Sequence, residues 1–436
     1  MAQRAIREYD GKRMISRLIA GFSEGEYTLA TKFVQITPKT KLANLTKQYP
    51  WLKNTSLAVK PDQLIKRRGK SNLILLDTSW PKAEKWIRSK RGKTISVEGV
   101  KDTLEYFIVE PFRPHEKEDE YYLAIKSGRE EDEILFYHQG GIEVGDVESK
   151  AERVSIPVIH SFDRIRRINL EPLFKNLPEG KKGFISQHKR EKLLSGFIRA
   201  VYTMYANAGF SFLEINPLII SGVKIIPLDI AAKLDDTAAF ENATNWENIE
   251  FPPPWGYKVS KEEEYIKELD EKTGASLKLT LLNPEGRVWT MVAGGGASVI
   301  YADTVVDLKY EKELANYGEY SGNPSEEMTY EYAKTLLDLM TRKKHPKGKY
   351  LIIGGGIANF TDVTKTFKGI IKALTEYKEK LKKNRIRIYV RRGGPNYKEG
   401  LKEMKELGEN IGVPIEVYGP ETHMTRIVSL ALGGRK

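Results

Sequence analysis

Three glycine-rich turns, Ala293-Gly294-Gly295-Gly296, Gly354-Gly355-Gly356 and Arg391-Arg392-Gly393-Gly394, each follow an apolar run in the last third of the chain. Glycine lets backbone N–H groups approach a ligand closely, and the N-terminus of a following helix favours an anion. Gly354, Gly355 and Gly356 follow the strand-like residues 350–353 and precede 358–374, where Phe360, Val363, Phe367, Ile370 and Leu374 recur at helical spacing. The spacing predicts a strand, a glycine turn and a helix N-terminus facing a negatively charged ligand. At Arg391-Arg392 strand alternation sends one guanidinium to each side. A guanidinium offers a two-pronged fork to a carboxylate or phosphate, while the alternative is a surface ion pair with Glu399 or Glu403. Polar Ser321, Asn359 and Thr361 would complete a site for a small polyacid.

A second constellation lies at 212–229. Residues 212–220 and 223–229 flank Ser221-Gly222, read as a two-residue hairpin turn. Counting outward pairs Ile220 with Val223, Asn216 with Pro227 and Glu214 with Asp229, so Glu214, Asn216 and Asp229 share a face. Opposed carboxylates repel, which calls for a divalent cation, a lysine such as Lys233, or a bend. An all-oxygen set suits magnesium, with Asn216 and Asp229 as ligands and substrate phosphates completing the shell.

Other motifs are excluded. Asn359 stands where a Rossmann fingerprint needs its third glycine, and no Gly-Lys-Ser/Thr follows the glycines. His115, His138, His160, His188, His345 and His423 form no metal spacing and no Ser-His-Asp pattern, so no catalytic histidine is assigned. Cysteine is absent, which removes disulfides, thiolate metal sites and thiol nucleophiles and suits a cytoplasmic protein. The first twenty residues lack a secretory apolar segment, and no run reaches the roughly 20 apolar residues of a membrane span. The net charge of +12 is scattered through Lys66-Arg67-Arg68, 164–167, Lys181-Lys182, Lys343-Lys344 and 378–383 with acids between, which reads as solvated surface rather than a nucleic-acid footprint.

The framework around these residues divides at the proline cluster Pro252-Pro253-Pro254. Before it, strand candidates at 57–59, 73–76, 106–110, 121–126 and 133–138, with helices at 10–19 and 189–205, read as mixed, largely antiparallel α+β. After it, strands at 288–292, 350–353, 386–390 and 415–418 alternate with helices. Such βαβ units imply a doubly wound parallel α/β sheet, with ligands at the carboxyl ends of its strands.

The segment 60–70 (KPDQLIKRRGK), joined to 213–218 (LEINPL) and 228–233 (LDIAAK), strongly resembles the amino-terminal part of the ATP-citrate lyase family. Further matches are 250–254, 274–280, 315–322, 391–397 and 421–425, and the likeness spans essentially all 436 residues. A more distant resemblance is to succinyl-CoA synthetase β subunits. The resemblance implies an ATP-grasp domain at 1–250, a linker at 251–276 and a flavodoxin-like citrate-binding domain at 277–436. It further implies ATP contacts from Lys60, Arg68, Gly69, Glu110, Pro111, Arg113 and Glu120, and magnesium on Asn216 and Asp229. Citrate would be held by Ser321, Gly322, Asn359, Thr361, Tyr377 and Arg392, with Gly354, Gly355 and Gly356 facing phosphate. Family members of the single-chain form continue beyond the matched region with a phosphohistidine, most of the coenzyme A site and a citryl-CoA cleaving module. The resemblance therefore implies a smaller subunit acting with a larger partner that carries those parts. Rivals are a citryl-CoA synthetase subunit, another ADP-forming ligase subunit, a citrate-sensing module and a nucleic-acid binder.

Overall fold

The computed structural model describes residues 3–433 apart from 30, 31, 66, 67, 142, 143, 158–164, 166, 180–185 and 273. Of the basic runs, Lys66, Arg67, Arg164, Arg166, Lys181 and Lys182 lie outside the described residues, as does His160. The chain divides into two compact units, Met1–Lys258 and Val259–Lys436. The division falls inside the segment 251–276 that sequence alone assigns to a linker, and part of that segment is the helix Lys261–Glu271, which starts on a Ser260–Glu263 capping box.

The first unit contains β1 (Gln3–Ile6), β2 (Val34–Ile36), β3 (Leu57–Pro61), β4 (Leu75–Thr78), β5 (Thr94–Val97), β6 (Val100–Thr103) and β7 (Phe107–Pro111), followed by β8 (Glu120–Ser127), β9 (Glu131–Tyr137), β10 (Glu152–Pro157), β11 (Phe210–Ser221), β12 (Lys224–Pro227) and β13 (Ile230–Asp235). One sheet runs β1-β13-β11-β8-β9-β10 with β12 on β11, and a second runs β2-β7-β3-β4; their described ladders are antiparallel. The strand expected at 73–76 forms two residues later, because Leu73 is buried in the core ahead of β4. Helix Glu8–Phe22 buries Met14, Ile15 and Ile19 at helical spacing against the core that also holds Phe197 and Val201 of helix Gln187–Asn207. Its first turn is also buried and carries Glu8, Asp10 and Lys12, polar residues that need partners inside.

The second unit contains β14 (Ser276–Leu281), β15 (Val288–Ala293), β16 (Asn316–Ser321), β17 (Lys349–Gly355), β18 (Ile386–Arg391) and β19 (Ile415–Tyr418). Strands β15-β17-β18-β19 form a parallel sheet. Side chains alternate across it: Leu351 and Ile353 join one core with helices Glu326–Arg342, Val363–Glu376 and Tyr397–Ile411, and Ile352 joins another with Gly295–Asp307 and Arg426–Leu432. Helices on both faces make this the doubly wound arrangement that the alternation predicts. The antiparallel pair β14-β16 adjoins it, Leu314 bridging in parallel to Val288, so β16 ends at the same edge as β15. No described helix is long and apolar enough to cross a membrane.

Candidate functional site

In the first unit, Glu8 and Lys12 on one helical turn meet Lys60 of β3, Glu110 of β7, Arg68 and Asp229. Lys60 Nζ lies 2.6 Å from Glu8 and 3.0 Å from Glu110, and Lys12 Nζ lies 2.8 Å and 2.5 Å from the same two carboxylates. Arg68 Nη2 reaches Glu8 at 2.7 Å and Asp229 at 2.5 Å, and both lysines also donate to the carbonyl of Leu228. Three cations thus face three carboxylates in a buried cluster. Burial opposes the charge on Glu8, but Lys12, Lys60 and Arg68 outweigh it and hold the carboxyl well below its ordinary value. Burial likewise works against Lys60, whose ammonium is nevertheless raised by Glu110, Glu8 and Asp229. The family resemblance singles out Lys60, Arg68 and Glu110, and the hairpin count Asp229; both pass over Glu8 and Lys12, whose i,i+4 spacing looks like an ordinary helix-surface pair.

Glu110, Pro111 and Arg113 border a cleft next to this cluster, with apolar walls from Phe33, Leu228 and Ile230. Gly69 opens the short 3-10 turn after Arg68. Glu120 pairs with His115 Nε2 at 3.0 Å, and its carboxylate abuts Gly141, whose N–H donates to Asn216 Oδ1 at 2.6 Å. One glycine turn thus adjoins both Glu120 and Asn216.

The hairpin register differs from the sequence reading. Ser221 pairs with Lys224 and Ile220 with Ile225, so the turn residues are Gly222 and Val223, with Gly222 at φ +61° in its first central position. The register moves by two residues. Glu214 then faces Ala231, and Asn216 faces Asp229, whose backbones join at 3.1 Å from Asn216 N to Asp229 O. A two-residue shift preserves the face, so Glu214, Asn216 and Asp229 still project together, but the opposed pair is an amide and a carboxylate. The cation beside Asp229 is Arg68; the exposed Lys233 lies over the Phe212 ring instead. Asp229 is raised by burial despite Arg68, and Glu214 by burial and by Asp229. Among the described residues no group of three Asp, Glu or His side chains is arranged to hold a metal. Asn216 and Asp229 present two opposed oxygens of the hard kind magnesium takes, Asn216 Oδ1 accepting from Gly141 N and Asp229 pairing with Arg68.

In the second unit the glycine turns differ from one another. Gly294 takes φ +102° as N-cap of helix Gly295–Asp307, directly after β15. Gly354 and Gly355 are strand residues, and the next helix starts only at Val363, where Asp362 accepts from Lys365 N. The helix N-terminus predicted at Gly354, Gly355 and Gly356 is therefore not there. The helical spacing counts Phe360, which is 70% exposed in the connecting loop. A Cβ on Gly354 would come within 2.4 Å of the Tyr301 ring, and one on Gly355 within 2.6 Å of Arg392, so these glycines serve close packing. Gly355 and Gly356 turn carbonyls toward cations: Gly355 O accepts from Arg391 Nη1 and Gly356 O from Arg392 Nη1, each at 2.9 Å.

Arg391 and Arg392 are each 4% exposed. Among the described residues neither forms an ion pair, so neither Glu399 nor Glu403 takes the role of a surface partner. Arg391 also donates to the carbonyls of Thr422 and Pro420. Arg392 Nε is buried without a hydrogen-bond partner, as is Tyr320 Oη. Burial pushes the Arg392 guanidinium below its ordinary value, with Arg391 adding to the effect. Two buried guanidiniums with no carboxylate call for an anion. The loop carrying Asn359 and Thr361 is bound to the turn after Arg392, with Ala358 N donating to Gly393 O and Val363 N to Pro395 O. Ser321 ends β16 at the same sheet edge with Gly322 directly after it, and Ser321 Oγ donates to Glu319 at 3.0 Å. Tyr377 is not brought to this cluster. It caps the C-terminus of the helix whose N-cap is Asp362, and a helix of 14 residues separates the two by about 20 Å. It lines a groove with Tyr265, Lys334 and Asp338.

Comparison with known proteins follows the same division. A model of the ATP-citrate synthase ATP-grasp domain matches residues 2–246, and a model of the ATP citrate lyase citrate-binding domain matches 257–434. ATP-citrate synthase of Mus musculus is 48% identical over the whole of this chain, which spans 39% of that protein's length. The probable ATP-citrate synthase subunit 2 of Schizosaccharomyces pombe is 43% identical, with 99% of this chain and 98% of the relative covered. The structure of ATP citrate lyase from Methanothrix soehngenii, in complex with citrate and coenzyme A, is similar at a TM-score of 0.85 and 48% identity, covering 99% of this chain and 100% of that one. The chain belongs to the ATP-citrate lyase family, of which it carries the ATP-grasp and citrate-binding domains.

Proposed function

We propose that this chain is the nucleotide- and citrate-binding subunit of an ATP-citrate lyase, taking Mg-ATP in its first unit and citrate in its second. The observation that carries the citrate half is the pair of buried guanidiniums at Arg391 and Arg392, which no acid of the described chain neutralises. A tricarboxylate supplies that charge. Arg392 offers it a fork, Asn359, Thr361 and Ser321 offer polar contacts, and Gly322 allows close approach.

In the first unit, Lys60 and Arg68 exchange carboxylate partners for nucleotide phosphates, while Glu110, Pro111 and Arg113 border the base and Glu120 faces the ribose. Asn216 and Asp229 would hold magnesium, which when bound neutralises charge on the phosphates. The phosphoryl group passes to a histidine of a larger partner subunit and from there to citrate, giving citryl phosphate. Coenzyme A, bound mainly by the partner, displaces phosphate to form citryl-CoA, and the partner cleaves this to acetyl-CoA and oxaloacetate. This chain's part is electrostatic: cationic side chains and the helix N-terminus at Gly295 hold anions in place as charge shifts between them. The relative named subunit 2 supports the two-subunit reading.

The test is to assemble the chain with its partner and follow phosphohistidine formation from labelled ATP. Asp229→Asn should abolish labelling, and labelling at the wild-type rate would remove Asp229 from the metal site.

A further inference from the structure

Four side chains make a square on one face of the antiparallel pair β14-β16. Ser276 is directly opposite Ser321, and Lys278 is directly opposite Glu319. Residues two apart on a strand share a face, so all four project together. At the centre is the Glu319 carboxylate, only 12% exposed, which accepts from Ser321 Oγ at 3.0 Å through Oε2 and from Ser276 Oγ at 3.3 Å through Oε1, with Lys278 Nζ at 3.9 Å. Gly295 makes room for it, since a Cβ there would stand 3.1 Å from both carboxylate oxygens.

A carboxylate accepts and cannot donate, so the single proton of each serine hydroxyl is committed to Glu319. What Ser321 has left to present is lone pairs. It can accept from a ligand but cannot donate to one. A ligand carboxylate placed there would meet acceptor against acceptor, with the Glu319 charge behind it; a ligand hydroxyl would be welcomed as a donor.

Resting on the citrate reading above, we propose that Glu319 is a specificity-determining residue: by fixing the hydroxyl of Ser321 as an acceptor, it makes the site select a tricarboxylate that bears a hydroxyl group over one that lacks it. Glu319 acts through Ser321 and is a positioning residue, not a catalytic one.

The test is calorimetric titration of the full chain with citrate and with propane-1,2,3-tricarboxylate, which has the same three carboxylates and no hydroxyl. Wild type should prefer citrate by at least about tenfold. Glu319→Gln keeps size and hydrogen bonding but lets its amide donate to Ser321, freeing the serine proton for an acceptor; the preference should fall toward unity. Ser321→Ala, which leaves Glu319 in place, should weaken citrate about tenfold and leave the deoxy compound unchanged. Citrate binding with undiminished preference in Glu319→Gln, or an equal loss for both compounds in Ser321→Ala, overturns the assignment. Failure of wild type to bind citrate at all ends the citrate reading itself, and this inference with it.

Discussion

Among single residues, two of the clusters of buried charge differ in kind. Around Lys60 every buried cation has a carboxylate within 3 Å, whereas among the described residues Arg392 is held by a carbonyl and keeps an unpartnered Nε. In the proposed function the first arrangement exchanges carboxylate partners for phosphates, and the second binds a tricarboxylate. Arg392→Ala should weaken citrate binding by about 1.5–3 kcal/mol in calorimetry, the worth of hydrogen bonds to a charged group. Arg392→Lys should not restore it, because an ammonium lacks the planar fork; affinity unchanged in either variant would remove Arg392 from the site. Glu8→Ala leaves Lys12, Lys60 and Arg68 short of one anion and should cost about 3–5 kcal/mol in urea unfolding. Saturating ATP should return more stability to this variant than to wild type, since phosphates replace the missing charge; an equal gain in both would detach the cluster from the nucleotide.

Among the elements, helix Glu8–Phe22 places Asp10 two residues from both Glu8 and Lys12, about half a turn around the helix. Burial, and then the nearby Asp62, raise its carboxyl from 3.8 to about 6 against the pull of Arg13 and Arg7. Between about pH 4 and 6 the folded chain therefore holds a proton that the unfolded chain has lost, so this group makes stability fall as pH rises through that window. The effect is roughly 2–3 kcal/mol, at about 1.36 kcal/mol for each pH unit separating the folded and unfolded values. Asp10→Asn should flatten the stability profile between pH 4 and 6; a profile parallel to wild type would refute the assignment. The errors of sequence reading also arise among the elements. Periodicity finds the parallel strands, because strands buried on both faces are continuously apolar. It misplaces the helix after Gly356, counting the exposed Phe360 as an inward residue and passing over Asp362 as a cap. It misplaces the hairpin register because Ser221-Gly222 and Gly222-Val223 are equally good turns on paper, and only the fold selects the one with glycine first. The Glu319 square is not legible, since β14 alternates Leu277, Leu279 and Leu281 with polar residues but β16 carries Asn316, Gly318, Glu319 and Ser321 in place of an apolar run, and only the fold sets the register between them.

Across the molecule, the +12 charge and the abundance of lysine and arginine suggest surface, yet the residues that matter most are charged and buried. Glu8 and Lys12 look on paper like any others among the 30% charged residues, and only tertiary packing separates them. What is legible in the sequence is the division into an antiparallel α+β unit followed by a doubly wound one, to each of which the proposed function assigns an anion site. If these two sites take different ligands, hydrogen–deuterium exchange of the full chain must separate them. Citrate should slow exchange at 354–361 and 391–394 and leave 57–65 and 107–113 unchanged, and Mg-ATP should do the reverse. Exchange at all four segments that is indifferent to both ligands would contradict the assignment of two anion sites.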